Sequence, residues 1–115
     1  MKSQDKVAIV TGGGTGVGRA TSLALARLGY HVVVNFSRSR EEAGATVTEI
    51  TALGAQAFEF QADVADDTAC RAMVAFAIKS FGRIDVLVNC AGTTDFIPFH
   101  DLDAVTDESW ERLYK

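Results

Sequence analysis

The stretch Thr11-Gly12-Gly13-Gly14-Thr15-Gly16-Val17-Gly18 has residue types and a spacing suited to holding a phosphate. Glycine carries no Cβ, so a turn built from it lets backbone N–H groups approach an anion that larger residues would hold off. Where such a turn joins a strand to a helix, the unpaired N–H groups of the helix start add positive charge. Two familiar phosphate motifs fail here. A Walker A loop begun at Gly13 would put Arg19 and Ala20 where a lysine and a hydroxyl are required. A G-x-G-x-x-G fingerprint fails because Thr15 or Val17 falls on a required glycine. The spacing that does hold is T-G-x-x-x-G-x-G, on Thr11, Gly12, Gly16 and Gly18, with Gly14, Thr15 and Val17 between them. A glycine-rich turn with no ligand is the competing reading, and its position before a helix argues against it.

Other chemistries find less support. Cys70 and Cys90 match no metal-ligand spacing, and two cysteines cannot staple a secreted scaffold. His31 and His100 are single, and the expectation for each is a surface or strand-edge residue. With 11 basic and 15 acidic residues the formal net charge is −4, which disfavours nucleic acid and anionic membranes as partners. Apolar runs such as Val32-Val33-Val34 are too short to span a bilayer, and no signal-peptide core precedes Val7. Hydrophobic residues at 48% and one proline in 115 residues suit a folded domain, and the composition points to the cytoplasm.

The elements that must position the glycine loop form a repeat. Short apolar runs at Val7 to Val10, Val32 to Val34, Ala57 to Phe60 and Ile84 to Val88 read as strands covered on both faces, with Glu59 weakening the third. Between them lie three helices. Their expected buried stripes are Val17, Ala20, Ala24 and Leu28; Ala43, Val47, Ile50 and Leu53; and Ala69, Met73, Phe76 and Ser80. Gly29, Gly54 and Gly82 close the helices, Ser39 and Glu42 form a capping-box pattern, and Asp66 and Asp67 place negative charge at the start of the third. Right-handed crossovers then predict an α/β fold with a doubly wound parallel sheet. The expected arrangement is strand order 3-2-1-4 inside a three-layer α/β/α domain. Thr106 is the expected N-cap of a last helix that the chain end interrupts, which points to a truncated domain.

The T-G-x-x-x-G-x-G loop resembles that of the short-chain dehydrogenase/reductase family, and further positions agree across nearly the whole chain. Asn89-Cys90-Ala91-Gly92 is similar to the family's N-N-A-G, with Cys90 in place of the second Asn. The resemblance implies that Asn89 ties neighbouring strands together while the backbone at Ala91 and Gly92 lines the adenosine side. Packing is the expected role of Cys90. Asp63-Val64 matches the position whose Asp bonds the adenine amino group, with a helix N-cap as the competing role of Asp63. Trp110 resembles the start of the family's interface helix.

Cofactor preference is read at Asn35-Phe36-Ser37-Arg38. NAD-type sites keep an acid about 20 residues past the glycines. Here Phe36 stands 18 residues past Gly18, and no acid appears before Glu41. Arg38 and Ser37 are placed to meet a 2′-phosphate, so NADP(H) is expected over a possible NAD(H), whereas Arg40 reads as a solvated turn residue. The resemblance implies hydride transfer between nicotinamide and a carbonyl or alcohol substrate, carried out with a Ser and a Tyr-x-x-x-Lys. Neither Tyr30 nor Tyr114 fits that pattern, so residues 1–115 are read as the dinucleotide-binding portion of one domain, with no catalytic residue. The chain alone is expected to be inactive and to self-associate through its fourth strand. The intact protein is expected to be a homodimer or homotetramer. A non-enzymatic dinucleotide sensor or interaction module is the alternative. Phe96-Ile97-Pro98-Phe99 reads as loop packing near a substrate mouth.

Overall fold

The apolar runs become four strands: β1 (Val7–Thr11), β2 (His31–Phe36), β3 (Ala57–Gln61) and β4 (Val86–Asn89), joined through helices α1 (Gly16–Arg27), α2 (Arg40–Ala52) and α3 (Asp67–Phe81). The structure, a computed structural model, describes residues 5–90. All strand pairs are parallel, in the order β3-β2-β1-β4. Ile9 sits at the centre, beside Val33 on one side and Leu87 on the other. The fold is therefore the doubly wound α/β sheet that the alternation of elements implies.

Two cores flank the sheet. On one face Val10, Val32, Val34 and Phe36 pack against Leu23 and Ala26 of α1 and Ala43 and Ile50 of α2. On the other, Val7, Ile9 and Val33 pack against Met73, Ala77 and Phe81 of α3. β1 and β2 are buried at every position, which accounts for the apolar runs Val7 to Val10 and Val32 to Val34 within them. The edge strands β3 and β4 are only half-buried, with the apolar Phe58 and Leu87 exposed.

Several details differ from the sequence reading, among them Leu53, expected in the buried stripe of α2 but 45% exposed just past that helix's end. The apolar stripe expected to bury α1 faces solvent: Val17 is 75% and Leu28 76% exposed, while Gly18, Ser22, Leu23 and Ala26 turn inward. The cause is Gly18. A Cβ there would lie 1.9 Å from the Gly12 carbonyl oxygen, so only the Gly18 edge of the helix can sit against the loop, and at about 100° per residue this turns Val17 outward. In α3 the stripe closes on Phe81, with Ser80 exposed. Ser39 does precede α2, but its side chain makes no capping bond. Its ψ of 66° departs from the extended geometry seen at Asp66 (ψ 108°), whose carboxylate accepts from Ala69 N at 3.2 Å.

Candidate functional site

The loops that follow β1, β2 and β3 meet at the carboxyl end of the sheet around a cleft of about 720 Å³. Gly12 and residues 14–18 form one wall, residues 35–39 a second and residues 62–65 a third, with Cys90 at the end of β4. The volume falls within the roughly 300–1,000 Å³ usual for cofactor sites, and the carboxyl edge of a parallel sheet is where such ligands bind.

The glycine loop is shaped from behind. Gly12 N donates to Asn35 Oδ1 (3.1 Å) and Gly13 N to Asn35 O (2.9 Å). Ser22 Oγ donates to Gly13 O at 3.0 Å, and Thr46 Oγ1 lies 3.2 Å from Gly14 O. At Gly14 the loop presses on α2: a Cβ would stand 2.7 Å from Ala43 Cα. Gly16 has the opposite requirement, since its φ of +52° favours glycine although space around it is open. The first turn of α1 holds no acidic side chain, and its leading N–H groups have no acceptor within the helix.

On the second wall, Ser37, Arg38 and Ser39 are exposed at the turn into α2. Phe36 is 4% exposed and packed in the core, so it supplies surface to the cleft and no polar contact. Arg40 is exposed, as expected of a solvated turn residue, and its guanidinium lies 5.1 Å above the Phe36 ring, bonds Gln61 Oε1 at 3.3 Å and pairs with Glu59 Oε1 at 3.7 Å. On the third wall, Asp63 and Val64 line the cleft, and Asp63 Oδ1 accepts from Ala65 N at 2.9 Å. The N-cap of α3 is Asp66.

Of the residues that the sequence singles out for cofactor binding, Gly12, Gly14, Thr15, Gly16, Val17, Gly18, Asn35, Phe36, Ser37, Arg38, Asp63 and Val64 all border this one cleft. Thr11 and Asn89 do not. Thr11 Oγ1 donates to Asn89 Oδ1 (2.8 Å) and accepts from Cys90 N (3.0 Å), so the pair ties β1 to β4 beneath the site. Both instead line a smaller apolar cavity of about 250 Å³ beside α3. Ala91, Gly92, His100, Thr106, Trp110, Tyr114 and the Phe96 to Phe99 run lie outside the described residues. Ser22 and Thr46 were not anticipated, and the available signal was a hydroxyl within an otherwise apolar helix face. His31, expected as a surface or strand-edge residue, is the first residue of β2 and is buried, with Gln56 N donating to its Nδ1 and Asp5 Oδ2 2.9 Å from Nε2.

The cleft suits a dinucleotide. It offers a Cβ-free loop and a helix start to a pyrophosphate, an exposed guanidinium at the second wall and a carboxylate at the third. No helix among the described residues is long and apolar enough to cross a membrane.

Comparison with known proteins agrees. The family profile for short chain dehydrogenases matches residues 6–115. The chain is 45% identical over 108 residues to the short-chain dehydrogenase/reductase homolog YusS of Bacillus subtilis, covering 94% of this chain and 99% of that one. It superposes with a TM-score of 0.86 on the crystal structure of a candidate short-chain dehydrogenase/reductase from Burkholderia xenovorans, at 36% identity over 98% of this chain and 47% of the other. A candidate dehydrogenase from Burkholderia cenocepacia, with bound NADP, matches with a TM-score of 0.80 at 27% identity, over 96% of this chain and 42% of the other. The chain thus spans less than half the length of either solved structure.

Proposed function

The chain belongs to the short-chain dehydrogenase/reductase family, and from that premise we propose that it is the cofactor-binding portion of an oxidoreductase that prefers NADP(H). The substrate class is a carbonyl or alcohol compound. When bound, the nicotinamide supplies or takes up hydride, and the residues of this chain bind and orient the cofactor. The loop of residues 12–18 would hold the pyrophosphate, Asp63 the adenine, and Ser37 with Arg38 the 2′-phosphate.

The observation that carries the NADP(H) preference is the state of the two arginines after β2. Arg38 borders the cleft beside Ser37, with Phe36 standing where an NAD-type site keeps an acid, whereas Arg40, also exposed, leans on Phe36 and Gln61 and does not border the cleft. A guanidinium can engage two phosphate oxygens at once, with each charge-assisted bond contributing about 1.5–3 kcal/mol. The bound NADP of the Burkholderia cenocepacia protein supports the same choice. Titration of the chain with NADPH and NADH tests it. NADPH should bind roughly tenfold to hundredfold more tightly, and Arg38→Ala should remove that advantage while leaving NADH almost unchanged. Equal affinities in the unaltered chain would overturn the preference.

Membership of a dehydrogenase family favours this reading over a non-enzymatic sensor or interaction module. The expected Tyr-x-x-x-Lys is missing from these 115 residues, so the chain by itself should not turn over substrate. Self-association of this chain through β4, whose Leu87 is 65% exposed, belongs to the same reading, as do a homo-oligomeric intact protein and a cytoplasmic location.

A further inference from the structure

We propose that Asn35, Ser22 and Thr46 are positioning residues that set the phosphate-binding amides of the glycine loop without contacting phosphate themselves. All three are fully or almost fully buried, and they come from three different elements, β2, α1 and α2. Buried polar side chains persist only when bonded, so what each bonds reveals its role.

Ser22 and Thr46 act on successive peptide groups. In a trans peptide the C=O and the following N–H point in opposite directions, and no peptide in the described chain is cis. Ser22 Oγ holds the Gly13 carbonyl from the α1 side, which turns the Gly14 N–H the other way. Thr46 Oγ1, shared between Glu42 O (3.0 Å) and Gly14 O (3.2 Å), holds the next carbonyl and turns the Thr15 N–H likewise. Gly14 and Thr15 both border the cleft. Two hydroxyls on the helices thereby convert a flexible glycine run into a pair of aligned donors, the arrangement that attracts an anion.

Asn35 anchors the base of the same loop. Its Oδ1 accepts from Gly12 N, and its Nδ2 donates to Phe60 O (3.3 Å) and Ala62 O (3.1 Å). Only this orientation of the amide faces an acceptor toward the N–H and donors toward both carbonyls. Although Asn35 borders the cleft, it is 1% exposed and its side chain is already committed on both atoms. It joins the loop after β1 to the chain leaving β3, so the pyrophosphate wall and the adenine wall move as one body.

This inference rests on the dinucleotide reading, and the experiment separates the two. The chain and its Thr46→Val, Thr46→Ser and Ser22→Ala variants are titrated with ADP-ribose, which carries a pyrophosphate, and with 2′-AMP, which does not. Thr46→Val and Ser22→Ala should each weaken ADP-ribose roughly tenfold, with 2′-AMP changed less than about twofold and with Thr46→Ser restoring affinity. Equal loss of both ligands, no loss of either, or failure of Thr46→Ser to rescue overturns the positioning role. Amide hydrogen exchange without ligand provides a second measure: Asn35→Ala should speed exchange at Gly12, and unchanged protection overturns the anchor. If the unaltered chain binds neither ligand, the dinucleotide reading falls, and exchange at Gly12 alone decides the role of Asn35.

Discussion

At the amino end of the sheet, polar side chains are used up in joining strands; at the carboxyl end, polar groups are bonded from behind so that others face outward. His31 takes the Gln56 N–H on Nδ1 and reaches Asp5 through Nε2, with its ring stacked 5.5 Å from Phe81. Beside it, Asp85 accepts from Val7 N (2.8 Å) and Arg83 Nε (2.9 Å), locking β1 against the approach to β4. At the other end Asn35, Ser22 and Thr46 engage the loop from the inside, leaving Arg38 and the start of α1 on the cleft. The same kinds of group stabilise at one end and prepare a binding surface at the other. The difference lies in whether a spare donor remains after the internal bonds are made.

That contrast can be broken most severely at Gly18. Its replacement by alanine forces a Cβ to 1.9 Å from the Gly12 oxygen, a backbone clash that no rotamer relieves. Overpacking of this kind costs about 3 kcal/mol, so the melting temperature should fall on the order of 10 °C and NADPH binding should disappear with it. Calorimetry and titration of Gly18→Ala check both. Arg38→Ala should behave differently: the affinity loss described above, with stability changed by less than about 0.5 kcal/mol in denaturant melts. A change in melting equal to that of Gly18→Ala would mean that Arg38 belongs to the framework.

His31→Ala probes the opposite end. It removes the acceptor of the Gln56 N–H and the partner stacked on Phe81, at a cost of about 1–3 kcal/mol, while the ratio of NADPH to NADH affinity should not move. A shift in that ratio would show that the two ends are coupled. The smallest effect is expected at Asp85. Its hydrogen bond to Arg83, and then that from the Val7 N–H, hold its carboxyl below the ordinary carboxylate range. A depressed folded-state pKa gives stability that is present above the unfolded value of about 3.9 and lost as pH falls through the lower folded value. Thermal melts should therefore show Asp85→Asn losing less stability than the unaltered chain between pH 5 and pH 2 (about the range such a carboxylate spans). Parallel acid curves would remove Asp85 from the amino-end lock.

The alternation of elements, the parallel doubly wound sheet and the location of the phosphate loop were legible in the residues themselves. Strand composition, helix period and glycine at the ends of α1, α2 and α3 are local signals, and handed crossovers leave little freedom in how such units join. The spacing from Thr11 to Gly18 likewise places a glycine loop between β1 and α1 wherever the rest of the chain lies. Tertiary structure alone decided which face of α1 is buried, because that depends on Gly18 meeting Gly12 rather than on where the apolar side chains fall. It also decided that Thr11 and Asn89 bond each other across 78 positions, that Arg38 borders the cleft while Arg40 leans on Phe36 outside it, and that Asn35 serves the loop from within. Each of these is a hydrogen bond or contact between distant segments. A periodic pattern records how a residue sits on its own element, whereas the partner of a buried polar group is set by which elements the fold brings beside it.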